Sequence, residues 1–308
     1  MAVDLTGVSQ PLAPSHKVWL IGGTSESADL AQALWSENIP FVVTVTTAAA
    51  KSLYSPTSQV RVGALTPEAM ATFVIEHDIC CILDASHPFA TEISRQAIAL
   101  SNPEPSQPDP PQSKATTKSI PYLRYERVRV GESATTPHHA SRLSALHHEA
   151  TLPATQRVTT VASIESLVAS DLLHHQRVLL TLGYRHLARF APLRAKATTL
   201  FARVLPSPEA IAGAIAAGFS AQEIMALRPP VSLALEKALW QQWKISCVVA
   251  KASGQPSGEA VKRQVAEQLG IPLILIARPP MAYPKQTHLT KEAIAFCTQT
   301  LKMYYPNA

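Results

Sequence analysis

"VWLIGGTSES", residues 18–27, decides how the rest of the chain is read. Four apolar residues, Val18–Ile21, run straight into Gly22-Gly23-Thr24-Ser25, and apolar residues then recur at helical spacing from Ser25 to Glu37. A buried strand, a glycine corner and an amphipathic helix form the opening of an α/β unit. In a phosphate turn, glycines let the backbone approach the anion, and the free N–H groups of the helix's first turn point at it. Gly22, Gly23 and Thr24 supply such a corner, and Ser25 is a suitable cap residue. The full G-x-G-x-x-G pattern is absent, so the corner alone fits either a phosphate turn or a plain tight connection.

The alternation continues. Strand-like runs at Phe41–Val45, Gln59–Val62, Ile79–Leu83 and Pro121–Tyr125 are separated by helical patterns at Pro67–His77 and Pro88–Leu100. Each of those helices opens on a proline, whose missing N–H is harmless in a first turn. A second series has strands at Arg157–Val161, Val178–Leu182, Thr198–Val204, Glu223–Leu227, Ile245–Ala250 and Leu273–Ile276. Its helices are Ile164–Leu173, Pro208–Ala217, Ser232–Trp243 and Gly258–Leu269, the last closed by Gly270. A terminal helix around Lys291–Lys302 is expected to pack back on the body. Strand–helix alternation predicts an α/β fold with mostly parallel sheets in two similar halves.

The domain reading is a flexible leader over 1–16, a first domain over 17–150 and a second over 151–308. Residues 102–119 are proline-rich and almost without apolar side chains, which predicts a surface insertion. Residues 131–156 are read as a second insertion at the domain junction.

Of the 308 residues, 46% are hydrophobic and only 16% are charged, below the usual ~25%. The net charge is +5, spread without a Lys/Arg block. This points to small anionic ligands and away from nucleic acid. Four cysteines, Cys80, Cys81, Cys247 and Cys297, form no CxxC pair and fit a reducing compartment. No apolar run approaches the ~18 residues of a membrane span. A cytoplasmic protein without a membrane partner is expected. The sequence leaves the oligomeric state open.

Four strands end alike, in "GGTS", "DASHPF", "GYRH" and "KASG". The carboxyl edge of a parallel sheet is where ligands bind. Turn-forming Gly and Ser explain part of the pattern, but not Asp84, His87, Arg185 and Lys251. An NAD site usually has Asp or Glu near the end of the second strand. Here that strand runs "FVVTVTTAAAK" without a carboxylate. Thr44, Thr46, Thr47 and Lys51 suit a 2′-phosphate, so NADP(H) is favoured. The Tyr-x-x-x-Lys pair of short-chain enzymes is absent.

"IGGTSES", "LDASHPFATEIS", "IPYLRYER", "VLLTLGYRHLARF" and "KASGQPSGEAVKRQVAEQLGIPLILIARP" together resemble the precorrin-6A reductase family of cobalamin (vitamin B12) biosynthesis, including its cobalt-precorrin form. The likeness covers most of residues 17–280. The His-Pro-Phe-Ala block is its most specific part. Two features depart from the family pattern: the longer insertions, and "KASGQPSGE" in place of Lys-x-Ser-Gly-Gly. The resemblance implies two Rossmann-like domains with a cleft between them, and NADPH-dependent reduction of one ring double bond in a polycarboxylate tetrapyrrole.

On that basis Gly22, Gly23, Thr24 and Ser25 are assigned to the cofactor diphosphate, and Thr46 and Thr47 to its 2′-phosphate. Asp84, Ala85 and Ser86 are placed at the nicotinamide or ribose. His87 is the candidate proton donor, with capping of a helix from Pro88 as its alternative role. Arg124, Gly183, Tyr184, Arg185, Arg228, Lys251 and Ser253 are assigned to the substrate. The histidine pairs 138–139, 147–148 and 174–175 lack a third ligand at fixed spacing, so no protein-bound metal is expected. A non-catalytic NADP(H) sensor, or another NADP-dependent oxidoreductase, is the competing reading. The sensor leaves the charged strand ends of the second half unexplained.

Overall fold

The computed structural model describes residues 16–102, 119–127, 158–254 and 258–304. The leader up to residue 15, almost all of the insertion at 102–119, the insertion at 131–156 and the expected boundary at 150/151 lie outside them.

The chain divides into two compact units, one comprising Met1–Glu126 with Met281–Ala308 and the other Arg127–Pro280. The residues after Pro280 therefore belong with the first unit, which corrects the reading of 151–308 as one domain. The physical reason is a late strand that extends the first unit's sheet and a helix that completes its core.

The first unit contains β1 (Lys17–Ile21), β2 (Phe41–Val45), β3 (Val60–Val62), β4 (Ile79–Asp84) and β5 (Tyr122–Tyr125). A late strand, β12 (Gln286–Thr287), joins them, giving a sheet ordered β12-β5-β4-β1-β2-β3. Every pairing is parallel. β4, Ile-Cys-Cys-Ile-Leu-Asp, is buried along its whole length, as a central strand covered on both faces must be. Helix α1 (Ser25–Ser36) and the C-terminal α9 (Thr290–Tyr304) cover one face. Leu30 and Leu34 of α1 meet Ala293 and Cys297 of α9 there, against Val18, Leu20 and Cys81. Helices α3 (Pro67–Glu76) and α4 (Thr91–Ser101) are on the other, where Met70, Phe73 and Ala97 pack on Trp19 and Ile82.

The second unit repeats the plan. Its sheet is ordered β6 (Val158–Val161), β11 (Leu273–Ile276), β10 (Cys247–Lys251), β7 (Arg177–Thr181), β8 (Thr199–Val204) and β9 (Ile224–Ala226), again all parallel. Taken from their first central strands, β1 and β7, both sheets have the order 3-2-1-4-5, five of the six strands of the dinucleotide-binding order 3-2-1-4-5-6. The sixth strand of each comes from the wrong end of the chain for a simple repeat. β6, which follows β5 in sequence, pairs with β11; β12, which follows β11, pairs with β5.

Local signals set most element ends. Thr66 and Ser207 cap α3 and α6 (Pro208–Ala216), each followed by proline at the first helical position. Gly270 ends α8 (Glu259–Leu269) at φ 69°, a left-handed conformation that glycine adopts without steric cost. The helix expected from Pro88 begins only at Thr91, and Ala90 caps it without a side-chain bond. A 3₁₀ segment over Tyr184–Lys196, interrupted by Pro192, was not legible from periodicity.

Candidate active site

The glycine corner sits at the end of β1, between β2 and β4, where the strand order reverses direction. In open α/β sheets ligands bind at that point. The Gly22 N–H donates to the Thr44 carbonyl at 3.0 Å, and the Ala85 N–H to Ile21 at 2.9 Å. The Thr24 hydroxyl donates to the Ala85 carbonyl at 3.0 Å, which ties the corner to the loop after β4. Thr24, not Ser25, is the cap of α1. Its hydroxyl accepts from Ser27 N–H, and Ser27 returns the bond to the Thr24 N–H, a reciprocal capping box. Ser25 is an exposed first-turn residue. Gly23 is exposed with φ +101°, and a Cβ there would meet only Ala50 within 4 Å, at 3.9 Å. The corner is thus open to a ligand on its outer side.

Thr46 and Thr47 are exposed beyond β2, and Thr47 caps the short helix α2 (Ala48–Lys51). Thr44 is not with them. It is buried in β2 and accepts the Trp19 indole N–H at 2.9 Å, so it is withdrawn from any ligand role.

Asp84, Ser86 and Arg124 form a buried hub, not a ligand-facing set. Parallel register places Asp84 beside Arg124 on β4 and β5. Asp84 is fully buried and accepts from Ser94 Oγ at 2.6 Å, Tyr122 Oη at 2.7 Å, Ser86 N–H at 2.9 Å and Arg124 Nη1 at 3.0 Å. Arg124, also fully buried, donates further to Ser86 Oγ and the Ser86 carbonyl at 3.0 Å and to Glu126 at 2.8 Å. Tyr283 covers its guanidinium at 5.2 Å. Burial acts to lower the Arg124 pKa, but Asp84 and Glu126 outweigh it and hold the side chain firmly charged. Burial and the Asp84 charge push the Tyr122 hydroxyl well up. These contacts engage the side chains of Asp84, Ser86 and Arg124 within the protein, where the sequence reading sets the first two at the cofactor and Arg124 at a substrate carboxylate. The three groups shape the loop that carries Ala85 and His87.

His87 is half-buried, and its Nδ1 accepts the Phe89 N–H at 3.2 Å. It therefore caps a turn, not a helix from Pro88. In the neutral ring this bond leaves the proton on Nε2.

In the second unit, the adjacency of β7 and β10 brings Gly183–His186 beside Lys251 and Ser253. Lys251 Nζ lies 3.0 Å from His186 Nε2. Burial, with Arg185 next, lowers the Lys251 pKa to about 8. Burial, then Lys251, lowers that of His186 to about 4, so the imidazole is neutral and accepts the ammonium N–H. Arg185 is exposed. Tyr184 is set against α6: a Cβ on Gly213 would come within 2.3 Å of its Cδ2. Ser253 is buried, and its carbonyl accepts from Arg127 at 3.1 Å. Glu259 accepts the Gly254 N–H at 2.9 Å and pins the same loop. Arg228 is exposed beyond the edge strand β9, three strands from β10, and is not brought to this group. Among the described residues there is no cluster of three or more His, Cys, Asp or Glu arranged to hold a metal. His174 pairs with Asp171 at 3.1 Å. No helix among them is long and apolar enough to cross a membrane.

The model of the precorrin-6x reductase CbiJ/CobK family matches residues 17–298. The chain belongs to this family. It is 42% identical over 289 residues to a cobalt-precorrin-6A reductase of Synechocystis sp., covering 92% of this chain and 97% of that protein. It is 32% identical over 264 residues to the cobalt-precorrin-6A reductase of Salmonella typhimurium, covering 85% and 87%. A solved structure of a CobK precorrin-6A reductase superposes with a TM-score of 0.66 at 21% identity, covering 92% of this chain and 97% of that one, and agrees in fold.

Membership of the precorrin-6x reductases makes the chain an oxidoreductase of cobalamin biosynthesis. Three residues of the site escaped sequence reading. Tyr54 lies outside every quoted motif, and Tyr122 in "IPYLRYER" and His186 in "GYRH" were given no role there; only pairing across strands or loops brings them in.

Proposed function

We propose that the chain reduces one ring double bond of cobalt-precorrin-6A with NADPH. The observation that carries this reading is the glycine corner at the switch point of a 3-2-1-4-5 sheet, with no carboxylate at the end of β2. The name shared by the relatives at 42% and 32% identity supports the cobalt-bearing substrate.

The open face of Gly23 and the first turn of α1 suit a diphosphate, and Thr46, Thr47 and Lys51 a 2′-phosphate. NADPH, when bound, supplies the hydride. The protein's part is to hold it, to hold an acidic macrocycle and to provide a proton. Ala85 and His87 border the corner on the β4 side, and His87 Nε2–H is the group we assign to the proton. Lys251 and Arg185, with Gly183 and Tyr184 shaping their loop, are the cations we assign to substrate carboxylates. Four buried free cysteines agree with a cytoplasmic setting.

The test is loss of the nicotinamide absorbance on mixing enzyme, NADPH and cobalt-precorrin-6A. Oxidation that requires the tetrapyrrole supports the reductase. NADPH binding without turnover would instead make the chain a sensor.

A further inference from the structure

Tyr54 lies in the loop after α2 and is 7% exposed, against Val43 and Ala50 in the first unit's core. Its hydroxyl reaches under the glycine corner. The Gly23 N–H donates to Tyr54 Oη at 2.8 Å, and Oη lies 2.6 Å from Ser27 Oγ. Ser27 Oγ donates its one proton to the Thr24 carbonyl at 2.7 Å and accepts the Thr24 N–H at 3.0 Å. With that proton spent, Tyr54 is the donor to Ser27. The bonds run in one direction, from Gly23 N–H through Tyr54 and Ser27 to the Thr24 carbonyl, and each proton has one acceptor.

The same hydroxyl explains Gly22. A Cβ on Gly22 would fall 2.2 Å from Tyr54 Oη, 3.1 Å from Val43 Cγ1 and 3.2 Å from Ser27 Oγ. The first glycine is thus required by a tyrosine beneath the turn, whatever sits above it. Burial raises the Tyr54 pKa, so the phenol keeps the proton this circuit needs.

We infer that Tyr54 is a positioning residue for the cofactor turn, its hydroxyl fixing the Gly22–Thr24 backbone and the Ser27 side chain in the geometry that receives the diphosphate. The inference rests on the placement of NADPH proposed above. Preorganised groups lose less freedom on binding, so loosening the turn weakens affinity and leaves the chemistry at saturation intact.

The experiment compares Tyr54→Phe, Ser27→Ala, Gly22→Ala, the Gly22→Ala/Tyr54→Phe double variant and Gly22→Asp, using NADPH fluorescence titration and steady-state kinetics. Tyr54→Phe and Ser27→Ala are expected to raise the NADPH Kd and KM by roughly tenfold, the scale of one hydrogen bond, with kcat at saturating NADPH within about twofold of wild type. In the double variant the Gly22→Ala loss is expected to shrink, because the clashing oxygen is gone. A wild-type Kd in Tyr54→Phe, or effects of Gly22→Ala and Tyr54→Phe that simply multiply, overturns the inference. Gly22→Asp separates the two levels. If it abolishes binding while Tyr54→Phe does nothing, only the tyrosine's role falls; if it too leaves affinity intact, the cofactor placement falls.

Discussion

Arg124 Nη1 stands 3.0 Å from Asp84 Oδ1, with both side chains fully inaccessible to solvent, on neighbouring parallel strands. A buried pair of this kind holds because each charge and most hydrogen-bond sites are matched. Removing one partner strands the other in a low-dielectric interior. Arg124→Met is expected to cost about 3–5 kcal/mol. The check is a urea midpoint against wild type, with Asp84→Asn/Arg124→Met recovering part of the loss. A single variant as stable as wild type would refute the hub.

His87→Ala is expected to lower kcat by about 10²–10⁴-fold, the usual contribution of a positioned general acid, with the NADPH Kd unchanged. Single-turnover rates at saturating NADPH measure this. Because Nδ1 is engaged by the Phe89 N–H, the transferable proton is on Nε2. An unaltered rate would move the proton source elsewhere.

Lys251 gives the site a pH limit. Its pKa is lowered to about 8, so its charge is present below that value and lost as pH rises through it. A carboxylate substrate therefore binds more weakly above about pH 8, and KM for the tetrapyrrole is expected to climb there. His186, lowered to about 4, stays neutral throughout this window. Stability has the opposite sign: between about 8 and the ordinary lysine value the unfolded chain binds the proton and the folded chain does not, so this group favours folding more as pH rises. Lys251→Arg is expected to abolish the KM rise, since arginine does not titrate in that range. A KM–pH profile identical in both enzymes would argue against Lys251 at the substrate.

Ending the chain at Pro280 is expected to unfold the first unit and spare the second. Ala293 and Cys297 of α9 are fully buried in the first unit's core, and β12 closes the edge of β5. Their loss uncovers apolar surface on α1 and on the sheet beneath it, Leu30, Leu34, Val18 and Leu20 among it. Emission from Trp19, fully buried in the intact chain, reports the change, and limited proteolysis should leave a fragment near 127–280. A truncated protein with native Trp19 emission would count against this division.

Much of the fold is legible in the sequence. Strand and helix periods differ, and the caps Thr66, Ser207 and Gly270 act within one turn of themselves, so neighbours in sequence set those elements. The glycine corner was readable for the same reason. The strand ends at residues 84–87 and 183–186 were identified too, because the carboxyl edge of a parallel sheet is reached wherever a buried strand stops.

What each side chain does there was not legible. Asp84, Ser86 and Arg124 looked like ligand groups because they are polar residues at strand ends. Register turned them inward: Arg124 faces Asp84 across β4 and β5, a pairing separated by 40 residues that no local pattern encodes. Thr44 was drawn off by Trp19, and Tyr54 was invisible until a loop folded it beneath Gly22. The exchange of β6 and β12 was equally hidden, since a short strand carries the same pattern whichever sheet it joins. The sequence by itself determined the elements and the edge at which ligands are received, because those depend on contacts within a few residues. Only the tertiary structure decided which polar groups face a ligand and which hold the scaffold, because that choice depends on burial and on partners distant along the chain.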